Sequence, residues 1–187
     1  MSAFFKRQLA DYVEYHRNPW NGLMHVLGIV TLFFAAILPL NFVPVQALGV
    51  HTTLAPILAL PVLIYWLLLD AALGTAILGF AVVLFAASAF VVHHASVTMV
   101  WSITVPLIII GIAFQIVGHR VFEQRQPALV DNPSHFLLGP MFVTAKLFIA
   151  LGFRRDLATI IQTGSSETQR GSSSFTEEHQ VRPLRRS

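Results

Sequence analysis

From Asn18 to Gly118 the chain runs for 101 residues with one formally charged side chain, Asp70. A water-soluble domain carries about 25% charged residues, so a stretch this long without them belongs among lipid tails. It divides into four apolar segments, 23–40, 54–69, 71–92 and 98–117. At ~1.5 Å per residue these give roughly 24 to 33 Å of helix each, which matches a hydrocarbon core of ~30 Å. The second segment is short and carries Pro56 and Pro61, tolerable where neighbouring helices satisfy the freed carbonyls. The breaks fall at 41–53, with Pro44 and Gly49, at Asp70, and at 93–97. Asp70 is expected at a turn, because an aspartate at mid-span costs about 2.5 to 3.5 kcal/mol.

All twelve lysines and arginines lie outside this block. Lys6, Arg7 and Arg17 precede it and the other nine start at Arg120. Cytoplasmic loops concentrate such residues, so both termini are expected in the cytoplasm and the number of spans is even. Before the block, Phe5, Leu9, Tyr12 and His16 recur at helical spacing and predict an amphipathic helix at the membrane surface. After it, 136–153 is apolar but carries Gly139, Pro140 and Lys146, and a crossing there would export Arg154 and Arg155. An interfacial or re-entrant helix fits the charge better. The expected fold is therefore an all-α integral membrane protein, a four-span helical bundle with an N-terminal interfacial helix and a C-terminal interfacial or re-entrant helix. Residues 1–162 form the membrane-embedded domain, and 163–187, rich in Ser, Thr, Gln and mixed charge, a disordered polar tail.

Composition excludes several function classes. With 55% hydrophobic residues the chain cannot stay solvated as a disordered coil. A net charge of +3 does not make a nucleic-acid surface when the basic residues form no single patch. The absence of cysteine removes disulfides, thiolate metal sites and cysteine nucleophiles, leaving histidine, carboxylate and backbone oxygen as metal ligands.

Two polar constellations flank the apolar block. At its entry, Asn18-Pro19 is an N-cap and first-turn signal, and Asn21 and His25 then share a helix face. His16 and His25, nine apart, would point to opposite sides of one continuous helix, but the break at Asn18-Pro19 lets the preceding chain fold back so that both imidazoles reach one centre. At the exit, Gln115, His119 and Glu123 stand at i, i+4 and i+8, and Gly118 leaves room for close approach. Four antiparallel spans bring both constellations to one leaflet. Polar groups there are costly and tend to mark function, and imidazole with carboxylate suits ferrous iron, zinc or copper. The spacing alone leaves the metal open. His51, His93 and His94 fall on the opposite face, where solvated loop histidines are the simpler reading.

These two constellations resemble the small membrane 2-hydroxy fatty acid dioxygenases. The matching residues are His16, Asn21 and His25, then Gln115 with Gly118-His119, then Phe122-Glu123, Arg125 and Pro127-Ala128-Leu129, with the similarity covering roughly residues 10 to 155. The resemblance implies an enzyme of the endoplasmic reticulum or bacterial inner membrane that uses ferrous iron and O2 to shorten a 2-hydroxy fatty acid by one carbon. Taken with the same-side topology, it implies His16, His25 and His119 as iron ligands, Glu123 as a fourth, and Asn21 and Gln115 as supporting amides. Arg120 and Arg125 are the candidates for the substrate carboxylate, since a guanidinium fork matches it bidentately. Two other classes stay open on the residues alone. A small transporter or proton channel would route through Asp70, and a non-catalytic membrane scaffold would be indifferent to metal.

Overall fold

The computed structural model describes residues 2–14, 16, 18–47, 49–124 and 135–159. The tail expected over 163–187 and the candidate Arg125 lie outside them. The described elements are α1 (Ala3–Glu14), α2 (Pro19–Leu40), β1 (Pro44–Ala47), β2 (Val50–Thr53), α3 (Leu54–Leu69), α4 (Ala71–His94), α5 (Val97–Val117), a π-helical turn (Gly118–Glu123) and α6 (His135–Ala150). Among the described residues, three helices are long and apolar enough to cross a membrane: α2, α4, and α5 continued through the π-helical turn. Their outer faces keep large apolar side chains such as Phe80, Val83, Phe90 and Ile109 exposed. A water-soluble surface does not sustain so much contiguous apolar area. The chain is thus a helical membrane protein, in which α3 and α6 are shorter apolar helices.

Local signals set the helix ends. Asn18 accepts from the Trp20 amide at 2.9 Å, and Pro19 occupies the first helical turn, starting α2 where the sequence expects it. Asp70 Oδ1 accepts from the Ala72 and Leu73 amides, both at 3.1 Å, which starts α4 directly after α3 ends. Ser96 caps α5 through the Met99 amide at 3.2 Å. The break at 41–53 differs from the all-helical expectation. It holds an antiparallel hairpin with Pro44 opposite Thr53 and Ala47 opposite Val50. Its short connection needs positive φ, supplied by Gly49 at 77°.

α2 and α5 pack antiparallel along a stripe of small residues. A side chain on Gly28 would meet Gly111 O at 3.0 Å, and one on Gly111 would meet Leu32 Cγ at 2.6 Å. Two turns away, a side chain on Gly118 would collide with Asn21 Oδ1. Such close approach drives helix association in lipid, where no hydrophobic force operates between helices. It fixes the start of α2 beside the end of α5.

That same end is closed by α1 and α6. The Ser2 amide donates to Leu69 O at 3.2 Å, so α1 reaches from the α3–α4 turn to the entry of α2. Phe5, Leu9 and Val13 from α1 pack with Met141 and Phe142 from α6 and with Trp66, Leu69 and Leu73. Trp66 Nε1 donates to Leu137 O at 2.7 Å. α6 runs against the first half of α2: a side chain on Gly139 would meet Ile29 Cδ1, and one on Gly22 would meet Lys146 Nζ. Beyond α6, Arg154 forks onto Asp70 at 3.0 to 3.1 Å and pairs with Asp156 at 2.8 Å. Burial alone would raise the Asp70 carboxyl, but the Arg154 and Leu73 hydrogen bonds outweigh it and hold it below its ordinary value. Asp70 is a helix cap and ion-pair partner, and the proton-relay role is not needed to explain it.

Candidate metal centre

His16 follows α1, His25 sits two turns into α2, and His119 lies in the π-helical turn that extends α5. All three are nearly fully buried. Their ring centroids are 4.5 to 5.0 Å apart, with interplanar angles of 69° to 82°. Three mutually steep rings around one point let each aim a nitrogen at a common centre. Candidate ligand nitrogens from the three all lie within 4.8 Å of one another, and among the described residues this is the one such group.

The protonation pattern of His16 follows from its neighbours. Its Nδ1 faces Tyr12 O at 2.9 Å, and a carbonyl only accepts, so Nδ1 carries the hydrogen. The Nε2 lone pair is thereby turned to His25 Nε2, 3.0 Å away. A backbone carbonyl fixing the distal ring nitrogen is the usual support of a metal-bound imidazole. Tyr12 also stacks on His16, centroids 4.0 Å apart at 6°, and burial pushes its phenol well up. Phe142 of α6 lies 5.6 Å from His16 and roofs the cluster.

A divalent cation fits this donor set. His25 Nδ1 and His119 Nδ1 are buried and make no hydrogen bond among the described residues, which costs about 1 to 3 kcal/mol for each such group. Protonating all three rings would crowd cations together out of water. Neutral imidazoles that meet as His16 Nε2 and His25 Nε2 do, 3.0 Å apart, could instead share a metal ion with His119. Two nitrogens at ~2.1 Å from one ion stand at most about 4.2 Å apart, so the widest pair closes slightly when an ion enters.

The cluster stands at the head of a cavity of about 600 Å³. Beyond the histidines, Tyr12 and Gln115, its walls are apolar and come from α2, α3, α4 and α5, with Leu137, Gly139 and Pro140 of α6. Such a volume lies within the ~300 to 1,000 Å³ of small-molecule sites. A polar, metal-capable head joined to an apolar body suits an amphiphilic molecule.

A family model described as 2-hydroxy-palmitic acid dioxygenase Mpo1-like matches residues 2–151. The chain belongs to the Mpo1-like family. It is also 31% identical over 158 residues to 2-hydroxy-palmitic acid dioxygenase MPO1 of Saccharomyces cerevisiae, an alignment covering 84% of this chain and 87% of the yeast protein. No solved structure matches.

In this Mpo1-like chain the fold brings together His16, His25 and His119, as the sequence suggests. Gln115 lines the cavity one helical turn deeper than His119. Asn21 is fully buried beside Gly118, its Nδ2 donating to Glu123 Oε1 at 3.2 Å. Glu123 is not among the three grouped metal-ligand candidates. Its Oε1 also accepts from the Asn18 amide at 2.7 Å, so the carboxylate clamps the start of α2. The Gln124 amide reaches back to His119 O, five residues away, which makes this last turn π-helical. Arg120 is exposed and does not line the cavity. His51, His93 and His94 are exposed at the other end of the bundle. Sequence reasoning missed Phe142 and Trp66 as walls and roof. Tyr12, at i−4 from His16, was visible only as part of an amphipathic stripe.

Proposed function

We propose that the protein is an iron-dependent membrane dioxygenase that shortens 2-hydroxy fatty acids by one carbon. The observation that carries this reading is the buried three-histidine cluster opening onto a long apolar cavity. The family membership and the yeast relative's name supply the substrate class. Overall, R–CH(OH)–COOH and O2 give R–COOH, CO2 and water. The C1–C2 bond breaks, and the four electrons lost by those two carbons reduce O2, so no external reductant is required.

His16, His25 and His119 would hold the iron, which when bound supplies open positions for a chelating substrate and for O2 activation. The remaining work belongs to the chain. Tyr12 O holds the His16 tautomer, and Phe142 keeps water from the cluster. Gln115, one turn inside, offers an amide to the substrate's 2-hydroxyl or carboxylate as it enters the head of the cavity. Glu123 and Asn21 tie the π-helical turn to the α2 start and so fix His25 against His119. The arginine candidates Arg120 and Arg125 steer the carboxylate toward the boundary by charge.

We further read the protein as multi-pass, with four spans α2 to α5, both termini in the cytoplasm, and the metal centre at the cytoplasmic boundary of an endoplasmic-reticulum or bacterial inner membrane. Alternating chain direction, the absence of lysine and arginine between residues 18 and 119, and α6 lying beside half of α2 all support this. The test is metal analysis of the detergent-purified protein joined to product analysis. Roughly stoichiometric iron, and an O2-dependent acid one carbon shorter that disappears on chelation and returns with ferrous iron, are expected. Turnover unaffected by iron removal would overturn the reading.

A further inference from the structure

The cavity is graded along its length in a way the reaction alone does not require. Helix rise orders its walls, because α2 to α5 alternate in direction. His25 and His119 mark the head, followed by Ile29 and Gln115. Phe33 and Leu63 come next, then Ala36, Ala59 and Ala81, and finally Leu40, Ala55 and Phe85. The three alanines come from three helices at one level and form a waist. Just past Leu40 the space ends at a polar seal: Asn41 Nδ2 donates to Ser88 Oγ at 2.6 Å, and Thr53 Oγ1 donates to Asn41 Oδ1 at 2.7 Å. This network ties the end of α2, the hairpin and α4 together, so the floor cannot retreat easily.

We propose that Leu40, Ala55 and Phe85 are a chain-length stop, and that the alanine waist admits a straight methylene chain, which together set the length of the acid the enzyme accepts. The proposal rests on the fatty-acid reading above and deepens it. Helix rise gives the length. From His25 to Leu40 is fifteen residues of one helix, or ~22 Å. With carbon–carbon bonds of ~1.5 Å at ~111°, an extended chain advances about 1.25 Å per carbon, so ~16 to 18 carbons span that distance.

The physical source of selectivity is the stop and not the walls. A substrate already dissolved in lipid gains little per methylene on entering an apolar cavity. A chain longer than the cavity must instead either push the floor or hold its head away from the histidines. Acceptance should therefore change little below the limit and fall steeply above it, by about tenfold or more for each two carbons added.

The test is competition binding in lipid nanodiscs, with a fluorescent 2-hydroxy acid displaced by a series shorter and longer than ~16 to 18 carbons, and turnover measured on the same series. Ala59→Phe and Ala81→Phe should lower the limit by about four carbons, a helical turn of depth, with helix content and size-exclusion elution of the detergent-purified variants at the wild-type level showing that they are folded. Phe85→Ala should raise the limit by two to four carbons, on the order of one phenyl ring's length. Profiles of all three variants that superimpose on the wild-type profile would overturn the stop. Chain-length-graded binding with no turnover under iron and O2 would uphold the stop and overturn the reaction. Turnover with a limit indifferent to Ala59→Phe and Phe85→Ala would uphold the reaction and overturn the stop.

Discussion

Among the described side chains, each end of the helical bundle holds three histidines, and only one end gathers them. His16, His25 and His119 are 2% to 5% exposed and share a centre. His51, His93 and His94 are exposed, on a strand and a helix end. Residue type is the same at both ends, so the difference lies in the backbone. At the buried end the chain turns at Asn18-Pro19, α5 widens into a π-helical turn, and α1 and α6 close over both. At the other end a hairpin leaves side chains to water. Burying an imidazole nitrogen without a partner is unfavourable, and His25 and His119 each keep one such atom in a group of three that could hold a metal ion.

The largest effect should come from breaking the buried end. His25→Ala or His119→Ala is expected to lower iron content to background and to reduce product formation by more than ~100-fold, because even a supporting partner of a metal ligand is worth 10- to 100-fold. Metal analysis beside an activity assay checks both. A His25→Ala protein with full activity would defeat the assignment of the centre.

Next comes the lock that holds α6 over that end. Asp70 is 3% exposed and Arg154 17%, so Arg154→Ala leaves a nearly buried carboxylate without its fork, a loss of about 3 to 5 kcal/mol where such a pair is broken. The pH signature has a definite sign. Asp70 titrates at its ordinary 3.8 when unfolded and lower when folded. The stabilisation is therefore complete above that ordinary value and is lost as pH falls through the folded one. Thermal unfolding in detergent should show an acid-limb slope that Arg154→Ala flattens. An unchanged slope would mean that the pair does not couple to the fold.

A smaller effect should separate ligand from clamp at Glu123. As a clamp on Asn18 and Asn21, Glu123→Ala should cost about 10- to 100-fold in activity, while Glu123→Gln, whose amide oxygen still accepts both bonds, should stay within about tenfold. Glu123→Gln with the iron loss of His25→Ala would make Glu123 a ligand instead.

Local chemistry made much of this architecture legible in the sequence. The four apolar runs are helices, Asn18-Pro19 starts α2, Asp70 caps α4, and antiparallel packing brings His25 to His119. What was not legible depends on contacts between distant parts of the chain. The π-helical turn leaves no mark in the sequence beyond Gly118, and the clamp from Glu123 to the Asn18 amide joins residues 105 positions apart. The Asp70–Arg154 fork spans 84 residues and joins two segments whose proximity only the packed α6 reveals. The hairpin was hidden because Pro44 and Gly49 read as a break, although Val45, Val50, Thr52 and Thr53 are good strand residues.

The smallest effect is the one that sharpens the contrast between the ends. His94 Nδ1 faces Phe90 O at 2.8 Å within its own helix, and the ring leans on Phe90 at 4.4 Å. Both contacts are exposed, so water replaces them on mutation at little cost. His51 stands on a strand of an exposed hairpin and His93 beside His94, their rings 5.0 Å apart. No third donor of the kind supplied by His119 joins them among the described residues. His51→Ala and His94→Ala should thus stay within about 0.5 kcal/mol in stability and leave iron content and turnover at the wild-type level. A drop in bound metal for His94→Ala, with the buried three intact, would mean that the exposed end holds an ion too, and burial would no longer be what distinguishes the two sets of histidines.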